Sequence, residues 1–249
     1  GGKGSRLGST TEKIPKPMVK IGKDPILLHI MRIYQKYNYN NFIICTGYLH
    51  DKINKFFNQR STSKKIILCN KKKYLEYSSK KEGWKVILNF TGLNSMTGER
   101  IKRSKNLINY YGLEDFLLTY GDGVGSINIK KLVSSHRRSK KIATITAVKP
   151  PPRFGALTIK NRNVINFSEK KMRDNVWING GFFVLNKKIF NFIKGKNPIW
   201  EQKPLEKLAK HLYLNAYKHS DFWQPMDTIK DKNQLTELLY KHNNLLNIK

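Results

Sequence analysis

Cysteine is scarce in this chain: Cys45 and Cys69 are the only two among 249 residues. Two thiols cannot build a disulfide framework or a four-cysteine metal site. Cys45 falls in the β-rich run at 41–46 and reads as a small core thiol, which fits a reducing cytoplasm. No apolar run is long enough to span a bilayer and no segment is built like a signal peptide, so a cytoplasmic protein without a membrane partner is expected. Acids are few as well, 17 against 48 basic residues, for a net charge of +31. So one-sided a balance suits a polyanion partner such as nucleic acid. The lysines are scattered over nearly every segment, however, and no nucleic-acid-binding motif accompanies them. They read as solvated outer charges whose field attracts anionic substrates. No Ser–His or Cys–His arrangement for nucleophilic catalysis stands out, and His29 and His136 sit on expected helices as structural groups.

What is present is a globular composition, 39% hydrophobic and 11% aromatic. The chain opens on Gly1-Gly2-Lys3-Gly4-Ser5-Arg6-Leu7. Three glycines in four residues let the backbone turn tightly and present amide donors to phosphate oxygens. Ser5 adds a hydroxyl and Arg6 a planar fork, while Lys16 stands between Pro15 and Pro17 on a stiffened backbone. The spacing is neither a P-loop nor a dinucleotide fingerprint, because Arg6 follows Ser5 and Leu7 stands where a third glycine would be needed. Taken alone, the turn also has the composition of a flexible terminus. In an α/β protein such a turn follows a buried strand, and that strand is expected to lie upstream of residue 1.

Helical spacing predicts helices at 25–37, 51–58, 128–138, 200–210 and 230–240, with short strands at 41–46, 84–90 and 142–148. Strand and helix alternate, which implies a mostly parallel sheet covered on both faces. Residues 61–83 are basic and poorly periodic and read as an excursion from that sheet. Residues 95–100 lead from a strand into a helix. They offer either a base or phosphate contact, or an ordinary helix start with Thr97 capping and Arg100 in solvent. The apolar run 116–119 reads as a central strand, with Asp122 just past its carboxyl end between Gly121 and Gly123. A carboxylate there, beside bound phosphates, suits Mg²⁺. After the stiff crossing at 150–155, strands are expected at 156–159, 164–167 and 177–185. Asn179-Gly180-Gly181 interrupts the last of these, as a bulge or a close ligand approach would. Glu169-Lys170 reads as a surface turn or as a pair of cleft residues. Asp227 is either a second metal ligand or the cap of the last helix.

These segments together resemble the sugar-nucleotide pyrophosphorylases, and within them the bacterial glucose-1-phosphate cytidylyltransferases. The carriers are Gly-Lys-Gly-Ser-Arg-Leu at 2–7, Pro-Lys-Pro-Met-Val at 15–19, Pro-Ile-Leu at 25–27 and Met-Thr-Gly at 96–98. Thr-Tyr-Gly-Asp-Gly-Val at 119–124, Arg-Phe-Gly-Ala-Leu at 153–157, Trp-Ile-Asn-Gly-Gly-Phe-Phe at 177–183 and Phe-Trp-Gln-Pro-Met-Asp-Thr at 222–228 complete them. The resemblance covers nearly the whole chain. It implies a Rossmann-like nucleotidyltransferase sheet flanked by helices, with a smaller β-rich portion for the sugar. One domain is expected, with a nucleotide-binding portion at 1–149 and a sugar-phosphate-binding portion with the C-terminal helix at 150–249.

The implied reaction joins CTP and α-D-glucose 1-phosphate to give CDP-glucose and pyrophosphate. By the same resemblance Gly1, Gly2, Lys3, Gly4, Ser5, Arg6, Lys16, Ser95, Arg100 and Gly121 contact the nucleotide, Arg6 and Lys16 being the catalytic cations. Asp122 and Asp227 hold Mg²⁺, Glu169 and Lys170 grip the sugar phosphate, and Asn179 and Gly180 lie near the hexose. A symmetric homo-oligomer and a place in CDP-linked deoxysugar synthesis for surface polysaccharide such as O-antigen are further implications. The chain departs from the pattern at Ser5 and Ser95, where threonine is usual, at Glu99 beside Arg100, and at Lys171 after Glu169-Lys170. A uridylyl or thymidylyl enzyme and a basic nucleic-acid-binding module are the alternatives.

Overall fold

Residues 26–35 carry apolar side chains at nearly every position that can face inward, and Pro25 fixes the entry of the chain into the helix. In the computed structural model, which describes residues 7, 10–150, 156–160, 163–168, 176–241 and 246, this segment is the helix α2 (Ile26–Gln35). It buries Ile26, Leu28, Ile30, Met31 and Ile33 almost completely. A one-turn helix α1 (Thr10–Lys13) and a small hairpin of β1 (Lys20–Ile21) and β2 (Asp24–Pro25) precede it. The chain continues through β3 (Asn41–Thr46), α3 (His50–Arg60), β4 (Ser63–Cys69), β5 (Lys72–Ser79) and β6 (Trp84–Phe90). Two short helices follow, α4 (Thr97–Lys102) and α5 (Lys105–Tyr110), and then β7 (Asp115–Thr119), β8 (Gly123–Gly125), α6 (Ile129–Ser139) and β9 (Ala143–Val148). The remainder holds β10 (Ala156–Lys160), β11 (Asn163–Ser168), β12 (Ile178–Asn186), α7 (Lys203–Lys210), β13 (Leu214–His219), β14 (Trp223–Pro225) and α8 (Ile229–Lys241).

Two four-stranded sheets carry the fold, in the orders β3-β6-β5-β4 and β13-β9-β12-β7. The class is α/β, as expected, but the pairing is mixed. Strands β3 and β6 run parallel, as do β9 and β13, while β4, β5, β7 and β12 join antiparallel. The reason lies in the turns. Asn70 and Lys71 both take positive φ, 45° and 63°, which closes β4 and β5 into a tight hairpin. Gly83, at φ 70°, then returns the chain into β6. A turn that short can only join antiparallel neighbours. The basic stretch 61–83 is therefore not an excursion; it extends the first sheet. Strand β7, expected at the centre, pairs only with β12 among the described residues. Its apolar run is covered by stacking of Phe116 on Phe190 and by packing in the cluster around Phe183 and Trp200.

Core packing crosses the sequence. One cluster joins Leu7, Val19, Ile26 and Ile30 to Phe182, Val184, Met226 and Leu235, so segments from both ends of the chain share one apolar interior. A second groups α2 and α3 with β5 and β6 around Phe57, Tyr77 and Trp84.

Candidate active site

Asp122 and Asp227 are 105 residues apart in sequence, and a short β ladder brings them together. Strands β8 and β14 pair antiparallel with Gly123 opposite Pro225 and Gly125 opposite Trp223. The Met226 N–H then donates to the Asp122 carbonyl at 2.7 Å, so the residues just outside the ladder, 121–122 and 226–227, lie side by side. Glycine at 125 makes this possible. A Cβ there would stand 2.8 Å from the Phe222 carbonyl and push the strands apart. Val124 and Met226 anchor the ladder in the core.

Asp227 is not the cap of the last helix. That work is done by Thr228, whose hydroxyl accepts the Asp231 N–H at 3.1 Å, while Asp231 Oδ2 accepts the N–H groups of Thr228 and Asp227 at 2.9 and 3.0 Å. This reciprocal box fixes the start of α8 and leaves the Asp227 side chain directed at Lys16.

Lys16 begins a 3₁₀ turn at 16–18 between two prolines, closed by a bond from the Met18 N–H to the Pro15 carbonyl. The Pro17 ring lies over Gly121, where an added Cβ would come within 3.1 Å of it. That contact seats the turn on the loop after β7. Lys16 Nζ donates to Asp122 Oδ2 at 2.7 Å and to Asp227 Oδ1 at 2.9 Å. The lysine side chain is 14% exposed, against 35% for Asp122 and 18% for Asp227, so the three charges meet at a half-open rim. One ammonium meets two carboxylates here, among the described residues. Among the described residues no third His, Cys, Asp or Glu joins them as a metal-binding group. A pair of carboxylates with room for phosphate and water is the donor set that Mg²⁺ accepts, and the residues present fit such an ion.

Arg100 lies elsewhere on the sheet rim, and it is buried. Its guanidinium donates to the Thr46 carbonyl (3.1 Å), the Thr91 hydroxyl (2.6 Å), and the carbonyls of Gly92 (3.1 Å) and Leu93 (3.5 Å). It thereby ties the carboxyl ends of the parallel pair β3 and β6. Burial pushes it below its ordinary pKa. Gly47 leaves the space: a Cβ there would be 2.7 Å from the guanidinium and 2.6 Å from the Gly92 carbonyl. The Arg100 side chain is thus not in solvent, and Thr97 is not the cap of α4, a position held by Met96. Ser95 donates to the Thr91 carbonyl and holds the same loop.

Asn179 and Gly180 stand at the start of β12, whose register against β9 breaks between Asn179 and Phe183. Asn179 Nδ2 donates to the Tyr120 hydroxyl at 3.0 Å, and the Gly180 carbonyl accepts from Trp223 Nε1 at 2.8 Å. Trp223 belongs to β14, so this bond connects the bulge to the ladder that carries Asp227. Gly1, Gly2, Lys3, Gly4, Ser5, Arg6, Glu169 and Lys170 lie outside the described residues. Two residues not singled out from the sequence take part: Trp223 and Tyr120. Trp223 and Tyr120 lie inside runs already noted.

The chain matches the nucleotidyl transferase family over residues 1–228. It is 44% identical to the glucose-1-phosphate cytidylyltransferase of Salmonella typhimurium over 243 residues, covering 97% of this chain and 94% of that protein. Among solved structures, HddC from Yersinia pseudotuberculosis complexed with GMP-PN aligns with a TM-score of 0.65 at 23% identity, covering 95% of each chain. An apo UDP-glucose pyrophosphorylase aligns with a TM-score of 0.65 at 16% identity, over 96% of this chain and 95% of that one. These two likenesses show the fold. The chain belongs to the nucleotidyl transferase family and is an enzyme of the glucose-1-phosphate cytidylyltransferase type.

Proposed function

We propose that the chain transfers a cytidylyl group from CTP to α-D-glucose 1-phosphate, with release of pyrophosphate and formation of CDP-glucose. The observation that carries this reading is the meeting of Lys16 with Asp122 and Asp227 at 2.7 and 2.9 Å, at the rim where a triphosphate must be neutralised. The 44% identity to a cytidylyltransferase across nearly the whole chain supports CTP and glucose 1-phosphate as the substrate pair.

A sugar-phosphate oxygen is already anionic at neutral pH, so it attacks the α-phosphorus without a general base. One P–O bond forms to the sugar phosphate, and the bond between the α-phosphorus and the pyrophosphate oxygen breaks. The protein contributes alignment and charge neutralisation. Arg6 and Lys16 would stabilise the phosphates and the departing pyrophosphate. The amides of 1–5, with Ser95, Arg100 and Gly121, would frame the nucleotide, Arg100 acting by holding the 91–95 loop in place. Glu169 and Lys170 would grip the sugar phosphate and Asn179 and Gly180 the hexose. Asp122 and Asp227 would hold Mg²⁺, which when bound supplies positive charge to the triphosphate oxygens.

Residues 1–149 would then serve the nucleotide and 150–249 the sugar phosphate within one domain. Among the described residues no helix is long and apolar enough to cross a membrane. A cytoplasmic homo-oligomer feeding CDP-sugar synthesis, with no specific nucleic-acid partner, completes the reading. The test is pyrophosphate release with glucose 1-phosphate and each of CTP, UTP, dTTP and GTP. Turnover confined to CTP is expected, and turnover confined to UTP or dTTP would refute the cytidylyl assignment.

A further inference from the structure

Beyond Asn179 the second sheet ends in an open shelf. Asn179 lies opposite Ala147 on β9, and Ala147 lies opposite Lys218 on β13, so Asn179 and Lys218 share one face of the sheet. Deeper in the sheet that face is covered, since Phe183 and Ile145 pack there with Leu214, Trp200 and Leu208. Towards the rim the cover ends: Ala147 is half-buried, and Ala216 and Lys218 are exposed. The two alanines leave a floor without bulk.

Two cations converge on this shelf. Trp177 immediately precedes β12, two residues before Asn179, and Lys149 immediately follows β9, two residues beyond Ala147. The alternation of extended chain turns both onto the shelf face. The contacts agree: Lys149 Nζ lies 4.7 Å and Lys218 Nζ 5.3 Å from the centre of the Trp177 ring. An aromatic face positions an ammonium without neutralising its charge. Like charges gathered at one ring repel each other, and an anion shared between them offsets that repulsion.

The shelf adjoins the acid rim. Asn179 Nδ2 donates to the Tyr120 hydroxyl at 3.0 Å, and Tyr120 immediately precedes Gly121 and Asp122. In the order β13-β9-β12-β7, β9 is two strands from the one that leads to Asp122, roughly 10 Å along the rim at ordinary strand spacing. An in-line displacement needs cations on two sides of the α-phosphorus, because the leaving pyrophosphate and the attacking sugar phosphate are both anions. In the proposed reaction Lys16 serves the leaving side, and it is already engaged with two carboxylates. The shelf supplies positive charge on the sugar side.

Resting on the reading of the site as a sugar-phosphate cytidylyltransferase, we propose that Lys149 and Lys218 bind the phosphate of the hexose 1-phosphate. Trp177 is the positioning residue that holds the two ammoniums together. The pair acts on the second substrate and leaves the nucleotide to Lys16 and the acid rim.

The experiment is steady-state kinetics of the wild type, Lys149→Gln, Lys218→Gln, Lys218→Arg and Trp177→Leu. Glucose 1-phosphate and CTP are varied in turn, and inorganic phosphate is the competitor. Each change to glutamine removes a charge-assisted bond to phosphate, so KM for glucose 1-phosphate is expected to rise about 10–100-fold. KM for CTP is expected to stay within about twofold, as befits a contact confined to the sugar phosphate. The inhibition constant of inorganic phosphate, measured against glucose 1-phosphate, is expected to rise by the same factor as that KM. Lys218→Arg keeps the charge and can still lie on the indole, so its KM is expected to stay within about threefold of the wild type. Trp177→Leu removes only the platform and is expected to raise KM for glucose 1-phosphate about 2–5-fold. An active wild type with the same KM for glucose 1-phosphate in both glutamine variants overturns this inference alone. A raised KM with an unchanged phosphate inhibition constant would give the lysines a structural role and does the same. An equal rise in KM for CTP would assign them to the nucleotide, which also overturns it. A wild type inactive with every hexose phosphate overturns the underlying reading, and this inference with it.

Discussion

An ammonium between two carboxylates does two things at once. Lys16 holds Asp122 and Asp227 together, and it also occupies the position that a cation approaching them would seek. Bound triphosphate would offer Lys16 a new partner, which would leave Asp122 and Asp227 free to hold a divalent ion. Replacing Lys16 with Met should therefore separate two effects. Turnover is expected to fall about 10²–10³-fold, the usual worth of a charge aimed at the transition state. Affinity for Mn²⁺ in the absence of nucleotide is expected to rise, as read by titration calorimetry, because the acids lose the one counter-charge that they share. Asp122→Asn and Asp227→Asn should lose activity and Mn²⁺ affinity together. Weaker Mn²⁺ binding in Lys16→Met than in the wild type would show that the lysine is needed to assemble the two acids, contrary to this argument.

At the level of elements, Arg100 acts as a tie between two parallel strands and a loop: it donates to the Thr91 hydroxyl and the Gly92 carbonyl, and it joins the Thr91 N–H and hydroxyl at the Thr46 carbonyl. Arg100→Met is expected to cost about 2–4 kcal/mol in urea unfolding, since it leaves buried acceptors unpaired. Arg100→Lys should recover little of this, because one ammonium cannot reproduce a planar fork. A loss below about 0.5 kcal/mol, the range of an ordinary surface change, would mean that the tie is dispensable. This role was not legible in the sequence, where Arg100 offered only a nucleotide contact or a solvated helix start. Its partners lie up to 54 residues away, and a glycine at 47 that makes room for it looks like any strand end. The regular elements were legible, because α2, β3, β6, α6 and β9 announce themselves by spacing and by β-branched runs. The hairpin of β4 and β5 was hidden beneath lysines at positions that face solvent, and its turn uses Asn70-Lys71 in place of the glycine that usually marks one. Asp227 was ambiguous for a local reason. The competing cap is completed by Asp231, four residues further on, and only the folded turn shows which hydroxyl does the capping.

For the molecule as a whole, the site is held by contacts between distant segments, so its integrity follows global stability, and two histidines, His136 buried and His29 half-buried, make that stability depend on pH. His29 on α2 reaches the Ile21 carbonyl through Nε2 at 3.0 Å, and His136 on α6 shares a hydrogen bond with the Thr144 hydroxyl at 2.9 Å. Burial depresses the pKa of both below 6.5. For His29 the bond to Ile21 opposes that shift, and for His136 the charge of Asp115 does, its carboxylate standing 3.8 Å from Nε2. The unfolded chain therefore binds protons that the folded chain refuses. Stability is complete above pH 6.5 and is lost as pH falls below it, by up to about 1.4 kcal/mol per pH unit for each histidine. Urea unfolding at pH 7.5 and 5.5 should show the lower midpoint at 5.5. His136→Gln keeps a polar partner for Thr144 but cannot titrate, so the gap between its two midpoints should be narrower than in the wild type, even where both are lowered. An equal gap in the two proteins would move the acid sensitivity away from the α6 face of the sheet.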